Sequence, residues 1–310
     1  MLYVEPAAGD SPILSIIQQA RREIDLNVYF LDSRPIISAL EAAKRRGVRV
    51  EVILDGKPYR MSPWKVRKEF ATLKQDGIQV RAAPARFERQ YVFDHAKYVC
   101  NGHACEIGTA NFDWSAFHKN REYLYVTANP RMVTAARDVF HADWSNRPAG
   151  AGPRRYLVLS PGSESKLAAV IGQPGKVDIE TEEMGDDRAI LDAIAAKGNQ
   201  AWVIVPGTVS RQDRKNLDWL KTKGVHIGFM PRSDVYLHAK MIAGNAESFI
   251  GSENFSDSSL NRNREMGVLL TGAPIRQLEV QFNADWKAVD VGDPQGTVGR
   301  TLSRWADGKW

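Results

Sequence analysis

Cysteine is scarce: the 310 residues contain two, Cys100 and Cys105, which excludes a disulfide-dense scaffold. No stretch approaches the roughly 18 uninterrupted apolar residues of a membrane-spanning helix. With 24 glycines and 15 prolines, the chain is neither collagen-like nor of low complexity. HExxH, DxD-type and CxxC ligand sets are absent, and with them the common signatures of a metal site. No basic segment followed by an apolar one precedes the strand-like Leu2–Glu5, so no signal peptide is expected in the sequence as it stands. A cytoplasmic chain and a mature periplasmic or secreted one both fit. What remains is an ordinary globular composition, 43% hydrophobic and 25% charged, long enough for two domains or one large one.

The net charge of +5 is lopsided. Residues 1–150 hold 22 Lys/Arg against 17 Asp/Glu, and residues 151–310 hold 20 of each, so the excess lies in the first half. Residues 57–89 concentrate it, with nine basic side chains against three acidic ones. A field of this sign favours anionic partners such as phospholipid head groups or nucleic acid. A solvated basic face without a partner is the plainer alternative.

The two cysteines flank Asn101-Gly102, a strong hairpin signal. A loop over 101–104 sets them opposite each other, within reach of a disulfide. A tight two-residue turn instead sets Cys105 opposite Tyr98. The first register implies an oxidising compartment.

Internal similarity is the most informative feature. His95, Lys97, Gly108, Asn111, Phe112, Ser115 and Asn120-Arg121-Glu122 recur at a constant offset of 143 as His238, Lys240, Gly251, Asn254, Phe255, Ser258 and Asn263-Arg264-Glu265. Phe140-His141-Ala142-Asp143-Trp144 recurs as Phe282-Asn283-Ala284-Asp285-Trp286 at offset 142, and Ile24-Asp25-Leu26 resembles Val177-Asp178-Ile179 at offset 153. The first copy is therefore about ten residues longer, in or near the basic 57–89 region. Residues 146–154, NRPAGAGPR, read as a linker. The expected domains are 1–147 and 155–310, with a tail from about 289 carrying Gly292, Gly296, Gly299, Trp305 and Trp310.

In each copy, apolar β-branched runs (24–31 and 48–54; 176–181 and 201–205) alternate with helix-spaced segments (34–46; 188–197). This alternation predicts an α/β fold. The HxK segment is expected to begin a strand–hairpin–strand element, with His95 and Lys97 on one strand face, as are His238 and Lys240. Two equivalent pairs suggest pseudo-two-fold symmetry and one shared cleft.

Such a cleft holds two imidazoles, two ammoniums, two Asn amides and two carboxylates, an inventory suited to phosphodiesters. The ammoniums and amides neutralise and bind non-bridging oxygens. One imidazole attacks phosphorus and the other serves as acid and then base. Glu122 and Glu265 orient the rings. No metal or other cofactor is required. Taken singly, HAK is a common tripeptide, GSxN a common turn and NRE a surface ion pair. Packing alone does not require a duplication to keep His, Lys, Asn and Glu in register.

H-x-K followed by G-[ST]-x-N, twice in one chain, resembles the phospholipase D superfamily over residues 2–288. The resemblance implies two tandem α/β/α sandwich domains related by pseudo-two-fold symmetry, with the active site at their interface. It implies a metal-independent phosphodiesterase or phosphatidyltransferase working through a phosphohistidine. His95 is then the nucleophile, His238 the acid/base, Lys97, Lys240, Asn111 and Asn254 the phosphate ligands, and Glu122 and Glu265 the orienting acids. With both half-sites in one chain, a monomer is expected. One departure stands out: the family's H-x-K-x4-D aspartate is Gly102 in the first copy and Asn245 in the second. These positions are expected beside a hairpin turn, away from the phosphate.

The substrate is less legible. Residues 58–70 interleave Tyr59, Met61 and Trp64 with Arg60, Lys65, Arg67 and Lys68, which suits a phospholipid surface. The alternative is an amphipathic helix packing Trp64, Val66 and Phe70 on its own domain. The same charges suit a nuclease, and a non-catalytic anionic-polymer binder is the third reading.

Overall fold

The computed structural model describes residues 1–231, 233 and 235–290, so Gly292, Gly296, Gly299, Trp305 and Trp310 lie outside the described residues. Two seven-stranded sheets carry the fold. In the first, the spatial order is Leu2–Val4, Tyr123–Thr127, Cys105–Gly108, Lys97–Cys100, Glu23–Val28, Arg49–Leu54 and Gln79–Ala82. In the second it is Val158–Ser160, Glu265–Leu270, Ser248–Gly251, Lys240–Ala243, Val177–Thr181, Ala201–Pro206 and His226–Met230, the same arrangement strand for strand. Three parallel strands lie at one end of each sheet and antiparallel ones at the other.

Local sequence accounts for the elements. Arg34–Arg45 is helical with Pro35 in its first turn, Ile36, Leu40 and Ala43 buried along one stripe, and Lys44 and Arg45 in its last turn. Gly47, at φ +85°, ends it and lets the chain turn into Arg49–Leu54. The extra length of the first copy falls in the loops 55–62 and 83–94, against 207–210 and 231–237 in the second. Among the described residues no helix is long and apolar enough to cross a membrane.

Strand alternation builds three cores. Val99 and Leu124 face an outer core with helices Ser11–Gln19 and Arg34–Arg45, and Ile242 and Phe249 face its counterpart in the second copy. Tyr98, Ile107 and Tyr123 point the other way, into a core shared with Met241, Ile250, Met266 and Val268. Phe140 and Phe282, from helices Pro130–Trp144 and Ala273–Trp286, complete this shared core. The two copies are thus joined by apolar burial, and truncating either phenylalanine costs about 3–5 kcal/mol by general experience.

Polar contacts across the seam are reciprocal. Arg121 binds Asp285 through two bonds of 2.7 and 2.8 Å, and Arg264 binds Asp143 at 2.7 and 3.0 Å. Each arginine belongs to an Asn-Arg-Glu and each aspartate to the Ala-Asp-Trp of the other copy. The surface ion pair that NRE suggests by itself is in fact a tie between the copies, buried at Arg264 and part-buried at Arg121. Asp143 also accepts from Arg86 at 2.6 Å.

The hairpin register places Cys100 directly opposite Cys105, with Cα atoms 4.1 Å apart, and the two are joined as a disulfide. Asn101 N–H donates to the Ala104 carbonyl at 3.0 Å, and Gly102 at φ +85° turns the chain. One expectation needs correction. The strand expected to start at His95 starts at Lys97, because the His95 N–H donates to the Arg264 carbonyl of the other copy at 2.8 Å and so leaves the sheet ladder.

Asp143→Ala leaves Arg264 buried without its carboxylate. Stability should fall by about 3–5 kcal/mol, read as a lower urea midpoint. An unchanged midpoint would remove the tie from the account of how the copies hold together.

Candidate active site

Both histidines are positioned by backbone pairing across the seam. Phe93 and His95 bond the main chain of Arg264, while Tyr236 and His238 bond that of Lys119 and Arg121. The short parallel pairing of Tyr236–Leu237 with Asn120–Arg121 is the mark of this crossing. Each histidine therefore meets the glutamate of the opposite copy. His95 Nδ1 lies 3.0 Å from Glu265 Oε2, and His238 Nδ1 lies 2.8 Å from Glu122 Oε1.

The glutamates are themselves held. Glu265 accepts from Ser259 at 2.7 Å and Asn263 at 3.1 Å, and Glu122 accepts from Thr109 at 2.5 Å and Asn120 at 3.1 Å. The hydroxyl of the G-[ST]-x-N motif has a local task. Thr109 Oγ1 accepts from the Tyr123 N–H and Ser252 Oγ from the Met266 N–H, pinning the residue after each glutamate. All three letters of Asn-Arg-Glu thus act: Asn steadies Glu, Arg ties the copies, and Glu faces a histidine. Asn120, Asn263, Arg121 and Arg264 are positioning residues that a reading limited to His, Lys, Asn111, Asn254 and Glu passes over. Their exact repetition was the available signal.

Lys97 and Lys240 are fully buried, and each Nζ donates to the carbonyl of its own histidine, at 2.6 Å in both copies. The side-chain oxygens of Asn111 and Asn254 are buried with no hydrogen-bond partner among the described residues, and it is the amide Nδ2 of each, not this oxygen, that can donate to an anion. Six of the expected site residues, the two histidines, two lysines and two glutamates, therefore gather at one seam. Gly102 and Asn245 sit in the hairpin connections at the far ends of the strands that begin with the two lysines.

The site is not symmetric. Tyr29 follows strand Glu23–Val28, and Glu182 follows the equivalent Val177–Thr181 at the same offset of 153. Tyr29 packs edge-on against His95 with ring centroids 4.7 Å apart. Glu182 Oε2 lies 3.3 Å from His238 Nε2 and accepts from Lys240 at 2.8 Å, while its Oε1 accepts from Tyr236 at 2.9 Å. His238 thus has a carboxylate at each ring nitrogen and Lys240 carries an ion pair. Neither residue was anticipated, although the offset already aligned them.

Charge follows burial. Desolvation lowers the His95 ring below its ordinary range, with Glu265 opposing and Lys97 adding to the shift. Burial pushes the Lys97 ammonium down to about 7, against the pull of Glu265. For Glu182, burial acts to raise the carboxyl, but the charges of His238 and Lys240 outweigh it and hold the group well below the usual carboxylate range.

Residues 13–144 and 173–286 match the family described as cardiolipin synthase, PLD-like domain. The chain belongs to the phospholipase D superfamily. A cardiolipin synthase of Clostridium perfringens (strain SM101 / Type A) is 28% identical over 131 residues, 41% of this chain and 26% of that protein. One from Alkalihalophilus pseudofirmus is 31% identical over 140 residues, 43% of this chain and 27% of that protein. The matches thus span about a quarter of those relatives' length. Phosphatidylserine synthase of Haemophilus influenzae Rd KW20 superposes over 94% of this chain and 87% of its own, with a TM-score of 0.73 at 12% identity. Polyphosphate kinase from Porphyromonas gingivalis superposes over 92% of this chain and 50% of its own, with a TM-score of 0.68 at 17% identity. At such identities the likeness is one of fold, and this superfamily fold supports more than one named activity.

Sulfate keeps its charge across neutral pH and so probes the lysines. The part of its affinity removed by Lys97→Met should fade as pH rises through about 7, where the ammonium loses its proton. A Lys97-dependent affinity unchanged up to about pH 9 would contradict this. Glu182→Gln removes an anion from His238 and Lys240 and should tighten sulfate at least about tenfold. Unaltered or weaker binding would deny Glu182 the part of internal counter-ion.

Proposed function

We propose that the chain is a metal-independent phosphodiesterase that passes a phosphatidyl group through a phosphohistidine, to water or to an acceptor alcohol. The observation that carries this reading is the reciprocal pair of imidazole–carboxylate contacts within one seam that also holds two buried ammoniums. With Nδ1 of His95 held by Glu265, its Nε2 is the nucleophile. Its burial favours the neutral ring that attack requires. Nε2 attacks phosphorus, the bond to the leaving alkoxide oxygen breaks, and His238 supplies that oxygen with a proton. The imidazole left on His238 then takes a proton from water or an acceptor hydroxyl, whose oxygen attacks phosphorus. The N–P bond breaks and His95 is restored. Between Glu122 and Glu182, His238 is suited to hold and return a proton. Lys97, Lys240, Asn111 and Asn254 bind the non-bridging oxygens.

A lipid substrate is supported by the surface around the approach to His95. Helix Pro63–Gln75 buries Val66 and Leu73 and packs Phe70 on the outer core, yet Trp64 is 60% exposed. The packed-helix alternative therefore holds for Val66 and Phe70 and fails for Trp64. Tyr59 (55%) and Tyr91 (58%) are also exposed, and the Tyr59 N–H donates to the Tyr29 hydroxyl, one residue contact from His95. Aromatics beside Arg60, Lys65, Arg67 and Lys68 suit an interface of head groups and acyl chains. The basic excess of 57–89 also favours a nuclease reading.

The deciding experiment uses EDTA throughout and His95→Ala as control. Phospholipid vesicles with an acceptor alcohol are run beside plasmid and single-stranded DNA. Head-group release or a new phosphatidyl alcohol, abolished by His95→Ala and reduced on vesicles by Trp64→Ala, is the expected result. DNA cleavage that falls steeply with salt, with lipids untouched, would replace the lipid reading by the nuclease one. Equal turnover by His95→Ala would end the phosphohistidine mechanism.

A further inference from the structure

A pocket of about 440 Å³ lies on the seam between the copies, apart from the catalytic cleft. Five arginines line it: Arg86, Arg89, Arg154, Arg262 and Arg264. Its remaining wall is largely apolar, with Phe87, Val92, Pro148, Ala149 and Pro161, and no carboxylate lines it among the described residues. None of the catalytic candidates reaches it.

The guanidiniums are under-neutralised. Asp143 serves both Arg86 and Arg264. Among the described residues Arg262 pairs only with the half-exposed Asp257, at 3.2 Å. Arg154 donates to two carbonyls, those of Leu159 and Pro161, at 2.6 Å each, and has no carboxylate partner among the described residues. Arg89 is exposed and makes no ion pair with a described residue. Burial holds Arg86 and Arg154 below the usual guanidinium range and repulsion from Arg264 adds to it, with Asp143 opposing at Arg86. An anion placed among these groups would relieve that repulsion.

Planar guanidinium forks match the oxygens of a phosphate group, and an adjoining apolar wall suits carbon attached to that phosphate. We propose that this pocket is a second anion site that binds a phosphate ester, distinct from the site of chemistry. The source is either the head group of an anionic phospholipid or a soluble phosphorylated ligand. Both present the same chemistry to the arginines. Ala85–Phe87 and the residues after it belong to the loop that is longer in the first copy.

Equilibrium dialysis of pyrophosphate with the full chain should find two classes of site. Lys97→Met removes or weakens the cleft class. Arg89→Ala/Arg262→Ala weakens the other at least about tenfold while the melting temperature holds. Arg89→Glu gives the same reading through a side chain with no ion-pair partner to lose. In the second arm, the full chain is sedimented with phosphatidylcholine vesicles, plain or containing phosphatidic acid. Loss of binding to the acidic vesicles in the arginine variants identifies a lipid head group. Loss confined to pyrophosphate identifies a soluble ligand. One class of site in the unaltered protein, or arginine variants that bind pyrophosphate and acidic vesicles as the unaltered chain does, would overturn the proposal. These are binding measurements, so catalysis can fail without deciding them.

Discussion

The crossing of the two copies at their shared seam is the constraint on which the rest depends. Neither copy supplies the carboxylate that meets Nδ1 of its own histidine. The imidazole comes from one and its carboxylate from the other, on both sides. This requires each Asn-Arg-Glu to lie alongside the opposite approach to H-x-K, which the backbone bonds at Phe93–His95 and Tyr236–His238 enforce. Buried polar groups that misalign by an ångström forfeit their hydrogen bonds. The apolar shared core and the two Arg–Asp ties therefore hold the site's geometry as well as the fold's stability.

Symmetry of scaffold does not bring symmetry of chemistry. One strand end supplies Tyr29 and its equivalent supplies Glu182. An aromatic edge leaves His95 with one carboxylate, and a second carboxylate gives His238 an acidic neighbour at each nitrogen. The duplicated frame thus presents two unlike imidazoles at one seam. The long loop breaks the symmetry again on the outside, where it brings exposed aromatics near one histidine and arginines to one side of the seam.

Much of this was legible beforehand. Strict offsets between the copies pointed to His95, His238, Lys97, Lys240, Asn111, Asn254, Glu122 and Glu265, and the structure brings the histidines, lysines and glutamates of this set together. Periodicity located the helix (expected over 34–46, observed over Arg34–Arg45) and the following strand to within a residue, whereas the preceding strand, expected over 24–31, ends three residues early at Val28. The same arithmetic did not show that Arg121 and Arg264 tie the copies together, since an Arg beside a Glu looks alike on a surface and in a seam. Nor did it show the end of the ladder before His95. Strand propensity is a property of neighbours in the chain, whereas the partner that captures that N–H lies 169 residues away in the sequence.

By itself the sequence determined the duplication, the α/β alternation, the chemical inventory of the site and the basic first half. These depend on residue identity and spacing, which a repeat makes readable without coordinates. Tertiary structure alone decided which glutamate serves which histidine, that Glu182 and Tyr29 differentiate the two rings, that Trp64 stays exposed while Val66 and Phe70 pack, and that five arginines meet in one pocket. Each of these depends on how two sheets dock, and docking is set by summed burial over many side chains, so no short motif encodes it.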